Sequence, residues 1–332
     1  MKHANLAVFV PHIGCPNRCS FCNQNSISGA QNAPSPDDVK KICDDFISSG
    51  ASERFVGELA FFGGSFTAIP REYMLSLLQA AQPYVKSKVI SGIRLSTRPD
   101  AIDEQVLELL KDYGVTAIEL GAQSMDDEVL RLNRRGHTAQ DVINAASLIH
   151  NSGIELGVQM MVGLYGDTAQ SCIETARQLI KLNPSTVRIY PTVVIKGTQL
   201  DMLYKKGEYS PLGVEEAVEI CTELLGMFTK AGVRVIRLGL HASQTLENDM
   251  TAGAYHPAFR ELCESRIYLK EAQKVLKDFK KGSVKLLVSE QAVSKMTGQK
   301  RCNIKTLEQQ GYKVKVAPSS EMELYKVRAE QE

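Results

Sequence analysis

Residues 14–24 read G-C-P-N-R-C-S-F-C-N-Q, which puts three of the chain's eight cysteines into eight positions. Thiolates of Cys15, Cys19 and Cys22 at C-x3-C-x2-C spacing converge on one point only where that point is a metal. A structural zinc site takes four protein ligands. Here there are three, with His12 the candidate fourth and no second C-x-x-C in the chain. A [4Fe–4S] cube held by three cysteines instead leaves one iron open, and an open position binds a substrate or cofactor. Spacing alone leaves both readings standing. The other five cysteines (Cys43, Cys172, Cys221, Cys263, Cys302) are scattered, as in a reduced, cytoplasmic protein and not a disulfide framework.

The elements that must position these thiols alternate along the chain. Apolar runs at 6–10, 58–62, 92–96, 115–120, 154–162, 185–191 and 233–240 are separated by stretches with apolar residues at helical spacing. Several of those stretches end in Gly, where a helix C-terminus favours positive φ. Strands alternating with helices build βαβ units and a parallel sheet. The expected class is α/β: a partial (β/α)6-type barrel over residues 1–245, with a doubly wound sheet as the structural alternative. In a barrel, reactive groups sit on the loops at the C-terminal ends of the strands. The cysteines follow the first strand and Gly63-Gly64-Ser65 follows the second, in agreement.

The composition, 43% hydrophobic and 23% charged with a net charge of +1, is that of a globular protein with no overall bias toward nucleic acid or membrane. No apolar run approaches the ~20 residues that span a bilayer. The start of the chain lacks the pattern of a secretory signal, so a cytoplasmic location is expected. Charge is unevenly divided. Residues 270–316 hold twelve Lys/Arg against four Asp/Glu, a local +8 that leaves −7 for the remainder. After a connecting segment at 246–270, this marks a small basic β-α-α-β module at 271–318, followed by a polar, loose tail at 319–332.

The motifs at successive strand ends resemble those of the radical S-adenosylmethionine (SAM) superfamily. The stretches are FFGGSF (61–66), RLSTRPD (94–100), IELGAQS (118–124), NRRGHT (133–138), QMMVGLYGDT (159–168) and YPTVVIKGTQL (190–200). They look like the subgroup containing oxygen-independent coproporphyrinogen oxidase and the elongator catalytic subunit, with STRPD and ELGAQS nearest the elongator pattern. The resemblance implies that Cys15, Cys19 and Cys22 hold a [4Fe–4S] cluster beside Phe21. It implies that Gly63, Gly64 and Ser65 receive the methionyl amino group of SAM. Ser96 and Gln123 fall where the family contacts ribose or carboxylate, Arg135 where an arginine meets the carboxylate, and Gln159 where a polar side chain reaches the ribose. Of Val194 and Ile195, Ile195 is taken for the adenine face. His137 gets no role beyond standing beside the Thr138 helix cap. The implied chemistry is one-electron cleavage of SAM to a 5′-deoxyadenosyl radical, fed by flavodoxin or ferredoxin. The longer cysteine spacing and the acetyltransferase domain of the elongator enzyme are absent, as is the long C-terminal domain of the coproporphyrinogen enzyme.

In the basic module, Gly298-x-x-Arg301 resembles the Gly-x-x-Gly loop with which a KH domain clamps a nucleic-acid backbone between two helices. Lys300, Arg301 and Lys305 cluster there, and Arg301 stands where the second glycine would be. An RNA substrate, tRNA in particular, is therefore expected. A peptide or small metabolite with the module as a mere cap is the second reading. The third is a non-catalytic nucleic-acid-binding protein with a structural metal.

Overall fold

The structure, a computed structural model, describes residues 2–10, 15, 19–23 and 32–331. His12, the candidate fourth zinc ligand, lies outside the described residues. The first part runs β1 (Lys2–Val10), α1 (Pro36–Ser48), β2 (Phe55–Gly63), α2 (Arg71–Lys86), β3 (Ile90–Thr97), α3 (Glu104–Asp112) and β4 (Val115–Gln123). It continues with α4 (Asp127–Leu132), α5 (Ala139–Ser152), β5 (Glu155–Val162), α6 (Ala169–Lys181), β6 (Thr186–Pro191), β7 (Val193–Ile195), α7 (Gln199–Lys205), α8 (Val214–Lys230) and β8 (Arg234–Leu238).

Seven of these strands form one parallel sheet in the order β1-β2-β3-β4-β5-β6-β8. Sequential order with helices between neighbours is that of a curled half-barrel, so the barrel expectation holds and the doubly wound alternative falls. β1 and β8 are the two free ends of the ladder. The outward side chains of the strands, such as Leu59, Phe61, Leu95, Ile118 and Val158, meet the helices in one large core. At roughly 1.5–3 kcal/mol per fully buried large apolar side chain, this layer is the main force that curls the sheet. The helices start where the sequence supplies a cap: Ser35, Asp103, Thr138 and Thr168 each accept a first-turn amide, typically worth about 1 kcal/mol.

Beyond the barrel come α9 (Gln244–Asp249), β9 (Met250–Gly253), α10 (Phe259–Leu276), β10 (Gly282–Val288), α11 (Val293–Thr297), α12 (Cys302–Gln309), β11 (Tyr312–Pro318) and β12 (Arg328–Gln331). β7 and β9, neither foreseen, pair antiparallel over the C-terminal end of the sheet. The division drawn at residue 271 falls inside α10. This helix serves both cores, with Phe259 and Cys263 in the first and Tyr268, Ala272 and Leu276 in the second. The module is the expected strand-helix-helix-strand unit, with β10 and β11 parallel. Its tail differs from the loose segment expected: β12 pairs antiparallel with β10 and covers that strand's other edge, while Val327 enters the small core. Polarity hid this strand, since an edge strand needs only one anchored side chain and its ladder hydrogen bonds. No described helix is long and apolar enough to cross a membrane.

Candidate active site

The glycine pair at the end of β2 lies tightly beside the end of β1, with Gly63 opposite Val10. Gly63 has φ +110°, and a Cβ there would lie 2.8 Å from the Val10 carbonyl oxygen. Only glycine fits. The Gly64 amide then donates to that same carbonyl at 2.7 Å. This close approach delivers Ser65 to Cys15. Its Oγ accepts the Arg98 amide at 3.1 Å and lies 2.8 Å from Thr97 Oγ1. Burial pushes the Cys15 thiol up, while the Ser65 backbone amide and the Arg135 and Arg98 guanidinium groups pull it down.

The cysteine loop is fastened from the opposite side by the turn after α4. Ser20 donates its amide to Asn133 O (3.1 Å) and its hydroxyl to Asn133 Oδ1 (2.6 Å). Fully buried Asn133 is itself held by the carbonyls of Val129 and Tyr165, each 2.8 Å away. Two residues on, Arg135 donates from Nη1 to Cys19 Sγ (3.1 Å) and from Nη2 to the Gly121 carbonyl (2.6 Å). Gln123 closes β4 at φ +65°, a left-handed conformation uncommon for a residue with a side chain and frequent at binding sites. Its amide nitrogen lies 3.0 Å from the point where a Cβ on Gly121 would sit. Three buried nitrogens around this cradle have no hydrogen-bond partner among the described residues: Arg98 Nη1, Arg135 Nε and His137 Nδ1. Buried donors and acceptors are normally paired, so these mark a place shaped for a ligand.

One comparison decides what the cradle belongs to. Residues 9–179, just over half of the chain, match the model of the radical SAM superfamily, and residues 184–269 match the radical SAM C-terminal domain. The chain belongs to the radical SAM superfamily. Among relatives, it is 29% identical over 222 residues to an uncharacterized protein of Methanocaldococcus jannaschii, covering 66% of this chain and 65% of that one. It is 32% identical over 188 residues to the tRNA uridine(34) acetyltransferase of Methanocaldococcus infernus, covering 49% of this chain and 34% of the relative. The chain therefore spans about a third of that enzyme's length. The structure of Methanocaldococcus infernus Elp3 shares the fold, with TM-score 0.65 and 23% identity over 81% of this chain and 64% of that one.

As a radical SAM enzyme the protein uses a [4Fe–4S] cluster and SAM, and its residues fit both. Among the described residues no three His, Cys, Asp or Glu side chains gather round a single point, as one ion would demand. A cube takes one thiolate per iron and makes no such demand. The unpaired donors on Arg98 and Arg135 suit a carboxylate. Phe21 packs with Cys19, Val129, Leu164, Val194, Leu200 and Tyr209. Of the two residues weighed for the adenine face, the structure puts one on each side of β7. Val194 lies in this cluster beside Cys19, whereas Ile195 packs with Val193 and Leu246 on the other face of β7. The alternation of side chains along a strand makes the two exclusive.

Ser96 and Gln159 meet in the barrel lumen. Gln159 Nε2 donates to Ser96 Oγ (3.0 Å) and to Glu119 Oε2 (2.9 Å). Glu119 anchors a buried ionic network that the motifs did not reveal. Arg188 closes on it with both guanidinium edges, Nη2 at 2.9 Å, and stacks 4.7 Å from the Phe62 ring. Arg94 bonds Glu58 at 2.7 Å and lies 3.6 Å from Glu119. Burial alone would lower the Arg188 pKa, but Tyr190 and Glu119 outweigh it and hold it up. Each of these residues is a lone charge within an apolar strand, at the inward phase, and that was the available signal.

The KH-like turn is not brought to the cysteines; it belongs to the module. Gly298, Lys300 and Arg301 have φ of +77°, +50° and +62°. A Cβ at Gly298 would lie 2.6 Å from Cys302 Sγ. Lys300, Arg301 and Lys305 are exposed.

Proposed function

We propose that this radical SAM enzyme modifies RNA, with tRNA as the substrate class. When bound, the cluster and SAM supply a 5′-deoxyadenosyl radical that abstracts hydrogen from the substrate. The protein's share is orientation and exclusion of water. In this reading Cys15, Cys19 and Cys22 hold the cluster. Ser65 and the Gly63-Gly64 backbone take the amino group of SAM, and Arg135 with Gln123 takes the carboxylate. Ser96 and Gln159 face the ribose, and Val194 covers the adenine. The ionic network of Glu119, Arg188 and Arg94 closes the lumen below, so that substrate enters over the C-terminal strand ends. Flavodoxin or ferredoxin is the electron donor in this scheme.

The observation that carries the RNA assignment is the α11–α12 turn. Two consecutive basic residues, Lys300 and Arg301, hold left-handed backbone conformations near Gly298 and stand exposed on the basic module. A turn of this kind presents amides and cations together to a phosphate backbone. The tRNA uridine(34) acetyltransferase among the relatives adds support. The test is 5′-deoxyadenosine release by anaerobically reconstituted protein with reductant, with and without bulk tRNA. Stimulation by tRNA is expected. Release indifferent to tRNA would move the substrate to peptides or metabolites.

A further inference from the structure

On the last strand of the barrel a half-buried guanidinium has no counter-charge among the described residues. Arg237 on β8 sits opposite Arg188 across the ladder. Arg188 is neutralised by Glu119, but among the described residues no carboxylate lies within ion-pair distance of Arg237. Its Nη2 bonds the ring of His241, 3.0 Å from Nδ1. Burial pulls its pKa down and Arg188 and Arg260 add to that, with only the Tyr190 hydroxyl opposing. A half-buried cation in this setting is stabilised by whatever anion comes to it.

Arg237 opens into a cavity of about 480 Å³ walled by the edge of β8, the first turn of α10 and the module helix α11. Arg260 and Lys295 line it too, both held in the wall by Glu264 at 3.0 and 2.5 Å. α10 is 18 residues long and begins at Ala258 with no side-chain cap; Glu261 in its first turn and Glu264 also line the cavity, which thus sets three cations against two carboxylates. Lys295 stands three residues before Gly298, so the cavity and the basic turn share one short helix.

We infer that this cavity seats a backbone phosphate of the RNA strand on its way from the Lys300–Arg301 turn to the barrel mouth, with Arg237 as the charge partner. The inference rests on the RNA reading above. Its position favours a polymer over a single small anion. Gly121, Gln159, Arg188 and Arg237 form one row across four adjacent strands. Three strand spacings, about 14 Å, separate Arg237 from Gly121, whose carbonyl Arg135 binds.

The test measures binding of bulk tRNA to the full-length reconstituted protein by fluorescence anisotropy across a salt series. The proteins compared are wild type, Arg237→Gln, Arg237→Lys and the pair Lys300→Glu/Arg301→Glu. Arg237→Gln leaves no carboxylate orphaned, so its melting temperature should match wild type and report that it folds. The expected result is about tenfold weaker binding, with the slope of log K against log salt reduced by about one. Arg237→Lys should restore the slope. If Arg237→Gln binds like wild type while the paired turn variant loses affinity, the seat is overturned and the RNA reading survives. If wild type itself has no affinity for tRNA, both fall. If inorganic phosphate raises the melting temperature of wild type but not of Arg237→Gln, while tRNA binding is equal in the two, the cavity takes a small anion and the inference is again overturned.

Discussion

Arg135 joins Cys19 to Gly121, donating to the thiol sulfur at 3.1 Å and to the backbone carbonyl at 2.6 Å. One planar guanidinium thus spans the cysteine loop and the end of β4, and its buried Nε remains for a further acceptor. A lysine cannot make these contacts together, because its ammonium is a single point on a flexible stem. Arg135→Lys should therefore keep iron on reconstitution but bind SAM at least about tenfold more weakly, the loss expected for a charged hydrogen bond. Iron content and equilibrium dialysis of SAM check this together. Unchanged SAM affinity would remove Arg135 from the carboxylate site.

Gly63→Ala tests the close approach of β2 to β1. The new methyl carbon would lie 2.8 Å from Val10 O, at a φ of +110° that alanine avoids. Strain of about 1–3 kcal/mol is expected, read as a lower urea midpoint with an unchanged m-value. A midpoint equal to wild type would mean that the glycine is not needed where the strands meet.

The lumen network should show the asymmetry of buried ion pairs. Glu119→Gln leaves Arg188 underneutralised at the centre of the barrel, where Glu119 is 1% exposed. Breaking one side of such a pair costs about 3–5 kcal/mol. Replacing both partners, as Glu119→Gln with Arg188→Met, should recover part of that loss. A double variant no more stable than the single one would argue against the pairing as the source of the cost.

Stability should also depend on His137. Burial, with Arg135 beside it, depresses its pKa from 6.5 to about 4, and its Nε2 lies 3.2 Å from the Ala122 carbonyl. Above pH 6.5 the ring is neutral in both folded and unfolded chains, so the group adds no pH dependence. As pH falls from 6.5 toward 4, only the unfolded chain takes up the proton, and the folded state loses about 3 kcal/mol relative to it. Below about 4 the contribution levels off. Denaturation midpoints from pH 4 to 7 should fall with acid in wild type and fall less in His137→Gln. Parallel curves would place the proton uptake elsewhere.

The barrel was legible because its signals are local. The seven apolar runs at 6–10 through 233–240 all became strands of the sheet, and the caps at Thr138 and Thr168 start helices as their side chains dictate. The module's β-α-α-β order was equally readable. What escaped depends on partners distant in the chain. Ser20 and Asn133 are far apart in the chain, and neither polar residue announces a partner. Arg94, Glu119 and Arg188 read singly as charges that ought to face solvent, and only the closing of the sheet turns them toward each other. β12 is too polar and short to stand out from a tail.

By itself the sequence determined the cysteine spacing, the glycine pair, the order of strands and helices, and so the family and its cofactors, because each depends on residue types a few positions apart. Tertiary structure decided which side chains share the site. It put Val194 and Ile195 on opposite faces of β7, brought Arg135 to Cys19 across the barrel mouth, and left Arg237 on an edge strand with no carboxylate in reach among the described residues. Those outcomes follow from packing, register and burial, which join distant residues only after the sheet has curled.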